Sequence, residues 1–406
     1  MHNHYQQTGG EDQVVRAEVA LLRARGHETI SYSLDNSAID GMSDVQLART
    51  TFWNGAVYHE LRELFRRHAP VAAHFHNTFP LVSPAAYYAA QREGVPVVQT
   101  LHNFRLVCPS GLLFRDGRSC EDCLGKSLAW PGVLHACYRN SRPVTAAVAA
   151  MVAFHRARGT WANAVDVYIA LSAFARQKFA DGGLPADRIV VKPNFLADDP
   201  GVGAHRGGYA LFVGRLAREK GVRVLLDAWA RLRSPYTLKV VGSGPFDAST
   251  GPPVPGVEWL GQQPSARVLE LMKDASFLLL PSECYENCPM TIVEAFATGL
   301  PVLASRLGSL AEMVRDHETG LHFRAGDPAD LADRVEWAIA NPAAMATMGR
   351  SARQEFDARY SADRHYERLR EIYAFAARVR TDAVANAMPT RATGGQRVRL
   401  SGGDRA

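Results

Sequence analysis

Glu286 and Glu294 stand with seven residues between them in the run Pro281-Ser-Glu-Cys-Tyr-Glu-Asn-Cys-Pro-Met-Thr-Ile-Val-Glu-Ala-Phe-Ala-Thr-Gly299, directly after the apolar stretch Phe277–Leu280. Pro289 suits the first turn of a helix and Gly299 its C′ position, so a helix N-terminus is expected at the carboxyl edge of a strand. The segment Asn287, Cys288, Pro289, Met290 and Thr291, with free amides at the positive end of the helix dipole, is then a ready site for a diphosphate. Two carboxylates beside an anion site cannot both serve phosphate. They suit sugar hydroxyls, as hydrogen-bond acceptors, with exposed helix-face carboxylates as the plainer alternative.

A second set of reactive side chains is the cysteines. Cys108, Cys120, Cys123 and Cys137 fall within 30 residues, around the turn signals Pro109-Ser-Gly111 and Asp116-Gly117. That spacing fits a structural zinc knuckle of four thiolates; a disulfide or free thiols are the alternatives. Cys284 and Cys288, on either side of Glu286, read as small buried residues.

The elements that must carry these groups alternate short β-branched runs with longer amphipathic segments, the pattern of βαβ units and parallel sheets. In the first half a helix is expected from Glu11 to Arg25, and strands near Thr29–Ser33, Val71–His76, Val95–Leu101 and Val165–Leu171. After the Asp-, Gly- and Pro-rich loop 198–208 the pattern restarts, with strands at Tyr209–Val213, Thr237–Val241, Val257–Leu260, Phe277–Leu280 and Pro301–Ala304. Its helices fall near Val222–Arg233, Ala266–Lys273, Met290–Thr298 and Leu331–Ala340. The expected division is 1–197, the linker 198–208, 209–360, one further helix 361–380, and a disordered tail 381–406. Gly9–Gly10 lies too close to Met1 for a full opening strand, so the start is expected to be clipped or assigned late.

With those positions in hand, the Glu286-x7-Glu294 segment resembles the signature of the retaining, nucleotide-sugar-dependent glycosyltransferases of family 4, whose fold is the two-domain GT-B type. Phe212-Val-Gly-Arg-Leu-Ala-Arg-Glu-Lys-Gly221 resembles that family's phosphate-binding loop, Thr8-Gly-Gly-Glu11 its N-terminal glycine loop, and Thr100-Leu-His-Asn103 its strand-end histidine motif. The expected fold class is therefore α/β, GT-B, two Rossmann-like doubly wound domains facing a central cleft. The resemblance implies that Arg215 and Lys220 grip the donor diphosphate, Glu294 the ribose, and Glu286 the transferred sugar. It further implies that His102 hydrogen-bonds the donor sugar near the reacting carbon, and that Gly9 and Gly10 admit close backbone approach. Base contacts are expected near Gly261–Gln262, and the 361–380 helix resembles the family's crossover back to the first domain. No Asp-x-Asp metal signature occurs in the chain, so guanidinium and ammonium groups are expected to balance the leaving diphosphate without a catalytic metal.

Composition narrows the remainder. The 406 residues are 47% hydrophobic and 21% charged, with a net charge of +5: a globular chain without a nucleic-acid footprint. Nothing approaches the roughly 20 apolar residues of a membrane span. Met1 is followed at once by His2, Asn3 and His4, so no signal peptide is read and a cytoplasmic protein is expected. Arg139 to Trp161 mixes apolar and basic residues and suits either an anionic membrane surface, where lipid-linked acceptors reside, or an ordinary packed helix. The expected partners are a nucleoside-diphosphate sugar as donor and a sugar, lipid-linked or other hydroxyl acceptor. The competing functions are a nucleotide-sugar epimerase of similar architecture and a sugar-nucleotide-binding protein without turnover.

Overall fold

The computed structural model describes residues 1–4, 9–246 and 253–387. A three-residue strand, β1 (His2–His4), pairs in parallel with β2 (Ser33–Asp35). β3 (Ala73–Phe75) and β4 (Val97–Leu101) follow, then the small antiparallel hairpin β5 (Phe114–Arg115) and β6 (Arg118–Ser119), then β7 (Val167–Ala170) and β8 (Ile189–Val191). β3-β4-β7-β8 form one parallel sheet. Backbone hydrogen bonds from Met1 to the His74 carbonyl (2.8 Å) and from His76 to the Met1 carbonyl (3.1 Å) lay β1 beside β3. A strand therefore does precede the glycine pair. Three residues suffice because its partner β2 is equally short, and for the same reason the strand expected at Thr29–Ser33 shrinks to a ladder beginning at Ser33.

The second half holds β9 (Tyr209–Val213), β10 (Thr237–Val241), β11 (Val257–Gly261), β12 (Phe277–Leu280), β13 (Val302–Ser305) and β14 (Gly320–Phe323), all parallel, in the order β11-β10-β9-β12-β13-β14. β4, β7 and β12 are buried along their whole length, which is why they read as unbroken apolar runs rather than alternating ones. Helices cover both faces of this sheet and divide its core into two clusters, one around Phe296 and Phe356, the other around Phe212 and Trp229.

The last helix, Ala362–Ala387, returns to the first sheet, where Leu369, Ile372 and Ala376 pack on Val98, Val167 and Ile169. It runs on to Ala387, past the expected end at Arg380, whose guanidinium donates twice to Asp166 Oδ2, at 3.1 and 2.7 Å, and ties the helix to the first sheet. Residues 381–387, expected to be disordered, are helical; the rest of that expected tail, 388–406, lies outside the described residues, as does Thr8. In the Arg139–Trp161 segment the helix Arg142–Ala157 buries Thr145, Val148, Ala149, Met151 and His155, so its apolar face is packed against the first domain. No described helix is long and apolar enough to cross a membrane.

Candidate active site

In the second sheet, counted from its own first strand, the order runs 3-2-1-4-5-6, so the direction of winding reverses between β9 and β12. A crevice opens at the carboxyl ends of two such neighbours. The loop Gly214–Gly221 leaves β9 there and the loop Pro281–Pro289 leaves β12. They meet at Gly221, whose φ is 71° and where a Cβ would stand 1.8 Å from the Pro281 carbonyl oxygen, so only glycine fits. A backbone bond from Glu283 to the Glu219 carbonyl at 2.9 Å locks the loops together.

That junction brings Lys220 Nζ to 2.6 Å from Glu286 Oε1, which also accepts from Ser282 Oγ at 2.7 Å. Burial alone would raise Glu286, but the Lys220 charge and the hydrogen bonds from Lys220 and Ser282 outweigh it and hold the carboxyl below its ordinary value. Burial likewise opposes the charge on Lys220, and Glu286 more than restores it. Arg215 is half exposed and paired with Glu219. The helix Met290–Thr298 starts after Pro289 and ends at Gly299, with φ 75°. Glu294 lies on it without a hydrogen bond among the described residues, and burial pushes its carboxyl up to about 7.

Across the cleft, Gly10 opens the helix Gly10–Ala24, and a Cβ there would sit 3.7 Å from Met290 Cγ, so two helix starts face each other. Asp12 fixes this approach: its carboxylate receives the Gly9 amide at 2.9 Å and approaches the rings of His2 and His4 at 2.8 and 3.0 Å. His102 follows β4, and its carbonyl accepts from Asn287 Nδ2 at 2.7 Å, a direct link between the histidine loop and the segment after Glu286. Burial, then the charge of Lys192, push the His102 imidazole down to about 3, so it is neutral near pH 7. Beside it lies a small cavity of about 50 Å³, lined in part by Thr51, Phe79, Gln99, Arg105 and Trp161. Arg105 is held between the rings of Phe79 and Tyr138, 4.5 and 4.9 Å from their centroids, and forms no ion pair among the described residues.

A buried polar cluster behind His102 escaped the sequence reading. Glu18 accepts from Lys192 at 3.2 Å and lies 2.9 Å from His74, 3.2 Å from His76 and 2.8 Å from His365 of the last helix. His76 in turn touches His102 at 3.0 Å. The available signal was a charged residue on the apolar stripe Val14–Leu21, and polar residues Lys192 and Asn194 just past the apolar strand β8. Asn194 donates to the Cys288 carbonyl at 2.8 Å, a further contact between the halves. Glu18, His74 and His76, like His2, His4 and Asp12, lie within metal-ligand reach of one another, and hydrogen bonds already engage these atoms.

Residues 8–199 match the family described as glycosyltransferase family 4, and residues 207–341 the one described as glycosyl transferases group 1. The chain belongs to glycosyltransferase family 4. Its fold is GT-B: a glycosyltransferase from Rickettsia africae superposes with a TM-score of 0.64 at 14% identity, covering 92% of this chain and 97% of the other. HepE of Anabaena, in complex with UDP, superposes with a TM-score of 0.62 at 16% identity, covering 92% and 98%.

Among curated relatives of this family 4 glycosyltransferase, an uncharacterized glycosyltransferase of Methanocaldococcus jannaschii is 30% identical over 170 residues, 41% of this chain and 47% of its own. The glycogen synthase of Mycobacterium tuberculosis is 30% identical over 196 residues, 45% and 47%. The chain spans about half the length of these relatives. In the GT-B frame, Arg215, Lys220, Glu286 and the helix start at Met290 share one crevice, with Gly10 and the His102 loop opposite. Gln262 is exposed at the end of β11, beside Ser243 at 3.4 Å, and Cys288 is buried, its backbone carbonyl taken by Asn194.

Proposed function

We propose that this chain transfers a glycosyl group from a nucleoside-diphosphate sugar to an acceptor hydroxyl, with retention at the anomeric carbon, in the synthesis of a polysaccharide or another glycoconjugate. The observation that carries the reading is the Lys220–Glu286 pair at the mouth of the β9/β12 crevice, beside the dipole end of the helix Met290–Thr298. The diphosphate lies against Lys220, Arg215 and the amides at Met290 and Thr291, and the nucleoside against Glu294 and the Gly261–Gln262 turn. The UDP bound to Anabaena HepE supports a nucleotide donor of this kind. As the bond from the anomeric carbon to the phosphate oxygen breaks, Lys220 and Arg215 stabilise the charge that gathers on the diphosphate, with no catalytic metal. The acceptor oxygen bonds to the same carbon and its proton passes to a departing phosphate oxygen. His102, neutral, hydrogen-bonds the donor sugar, Glu286 accepts from its hydroxyls, and the cavity beside Arg105 takes the acceptor.

Peripheral contact with an anionic bilayer belongs to the same proposal, at exposed Leu128, Trp130 and Leu134 flanked by Lys126, Arg139 and Arg142. Flotation with anionic and neutral liposomes tests that contact, and absence of binding to both removes it. The catalytic reading is tested with a panel of nucleoside-diphosphate sugars: glycosyl transfer or slow donor hydrolysis supports it. Interconversion of the donor sugars, or binding without turnover, overturns it, and an inverted product overturns the retaining mechanism.

A further inference from the structure

Between β4 and the helix Arg142–Ala157 the chain makes an excursion of some 40 residues whose regular structure is the β5–β6 hairpin and the five-residue helix Trp130–Leu134. Its apolar burial is concentrated at its start, where Phe104, Val107, Cys108 and Leu113 join the core of the first domain; beyond them Cys123 is covered, while Leu128, Trp130 and Leu134 are exposed, as is Leu112. The backbone is nonetheless held in costly shapes. Leu113, Asp116, Ala136, Arg139 and Asn140 all have positive φ, five of the nine such non-glycine residues among those described, and left-handed residues with a Cβ persist only where their surroundings over-determine them. A segment with so little core needs a covalent or metal staple.

The candidate staple is on the page. Cys108, the Cys120-x2-Cys123 pair and Cys137, from three separate stretches of this excursion, line one small cavity together with Arg115 and Gly132, and all four are free thiols. Gly132 packs close, since a Cβ there would stand 3.4 Å from Cys123 Sγ. No three of the sulfurs lie within 4.8 Å of one another, so gathering them round one centre takes side-chain rotation as well as ionisation. We propose that these four cysteines bind one zinc ion as tetrahedral thiolates, and that this ion sets the position of the β5–β6 hairpin over the donor crevice. Binding releases the thiol protons to solvent and leaves a net negative centre, against which the Arg115 guanidinium is already placed.

The hairpin's position matters because of what it touches. Ser119 Oγ donates to the Glu283 carbonyl at 3.4 Å, and Tyr285 OH donates to Glu121 Oε1 at 2.8 Å. Glu121 also pairs with Lys178 at 2.7 Å. Gly117 lies so close to Arg218 that a Cβ would be 2.5 Å from its Nη2. Glu283, Tyr285 and Arg218 flank Glu286 and Lys220, so the knuckle reaches from the first domain to the two loops of the crevice.

The test is zinc content of the full chain purified under reducing conditions without chelator, with zinc release followed as the thiols are titrated by an organomercurial. One zinc per chain, released as four thiols react, and loss of that zinc in Cys120→Ser and Cys123→Ser, is the expected result. To keep the test independent of how those variants fold, the wild-type protein is also loaded with cobalt(II), which is expected to give the intense visible bands of a tetrathiolate. Less than one zinc per ten chains with the four thiols freely titratable, disulfides among them by mass spectrometry, or a cobalt spectrum without thiolate bands each overturns the proposal.

Discussion

The ammonium of Lys220 and the carboxylate of Glu286 meet 2.6 Å apart across two loops that belong to different βα units. The pair holds a cation and a carboxylate in fixed register at the crevice, and each holds the other in its charged form. Lys220→Ala is expected to cut kcat roughly 10²–10³-fold, the scale of removing one preorganised charge stabiliser. It also leaves Glu286 without its partner, at a cost of about 2 kcal/mol in stability. Adding Glu286→Gln is expected to recover that stability and not the turnover. Denaturant titration beside steady-state kinetics checks both; restored turnover in the double variant would show that Lys220 acts only through Glu286.

Glu294 gives a pH signature. Burial raises its folded-state pKa to about 7, above the unfolded value of about 4.3, so the folded state holds the proton more tightly. The group costs nothing while both states are protonated, and stability falls as pH rises from the unfolded value through about 7. Glu294→Gln is therefore expected to match wild type in Tm below about pH 4, to exceed it increasingly as pH rises to about 7, and to level off above that, in the absence of nucleotide. Thermal melts across that range decide it, and a constant difference would contradict the raised pKa. If Glu294 holds the donor ribose as proposed, the same variant is expected to lose affinity in the donor complex, since a neutral amide replaces the carboxylate acceptor.

Glu18 and Lys192 are both buried and meet at 3.2 Å. The burial penalty on Glu18 is outweighed by Lys192 and the neighbouring histidines, which hold its carboxyl well below the usual range. Lys192→Met strands that carboxylate in the interior and is expected to cost about 3–5 kcal/mol; Glu18→Gln in the same chain is expected to recover much of it. Denaturant unfolding of the single and double variants measures the coupling. An additive double variant would mean the two charges act independently.

Arg105, stacked between Phe79 and Tyr138 at the cavity proposed for the acceptor, is expected to act on the acceptor alone. Arg105→Ala is expected to raise acceptor KM about tenfold, the loss of one charge-assisted contact. Donor affinity by thermal shift is expected to stay unchanged. A loss of donor affinity of equal size would place Arg105 in the structural frame of the cleft instead.

What was legible in the residues is what chemistry enforces locally. The runs Phe277–Leu280 and Val97–Leu101 could only be covered strands, Gly299 could only be a left-handed stop, and Glu286-x7-Glu294 straddles a helix start whose position Pro289 announces. The opening strand, the helical extension past Arg380 and the strand Gly320–Phe323 were not read, because a three-residue ladder has no measurable periodicity and the anchor of the last helix, Arg380 on Asp166, depends on a residue 214 positions away.

The amino-acid sequence by itself determined the alternation of strands and helices, the two halves and the types of group offered to a donor. The tertiary structure alone decided which of them meet: Lys220 with Glu286 across 66 positions, and Glu18 with Lys192 and His365 across 174 and 347. Periodicity and turn chemistry act over a few residues, whereas strand order, the closure of the cleft and the convergence of buried charges follow from how whole elements pack.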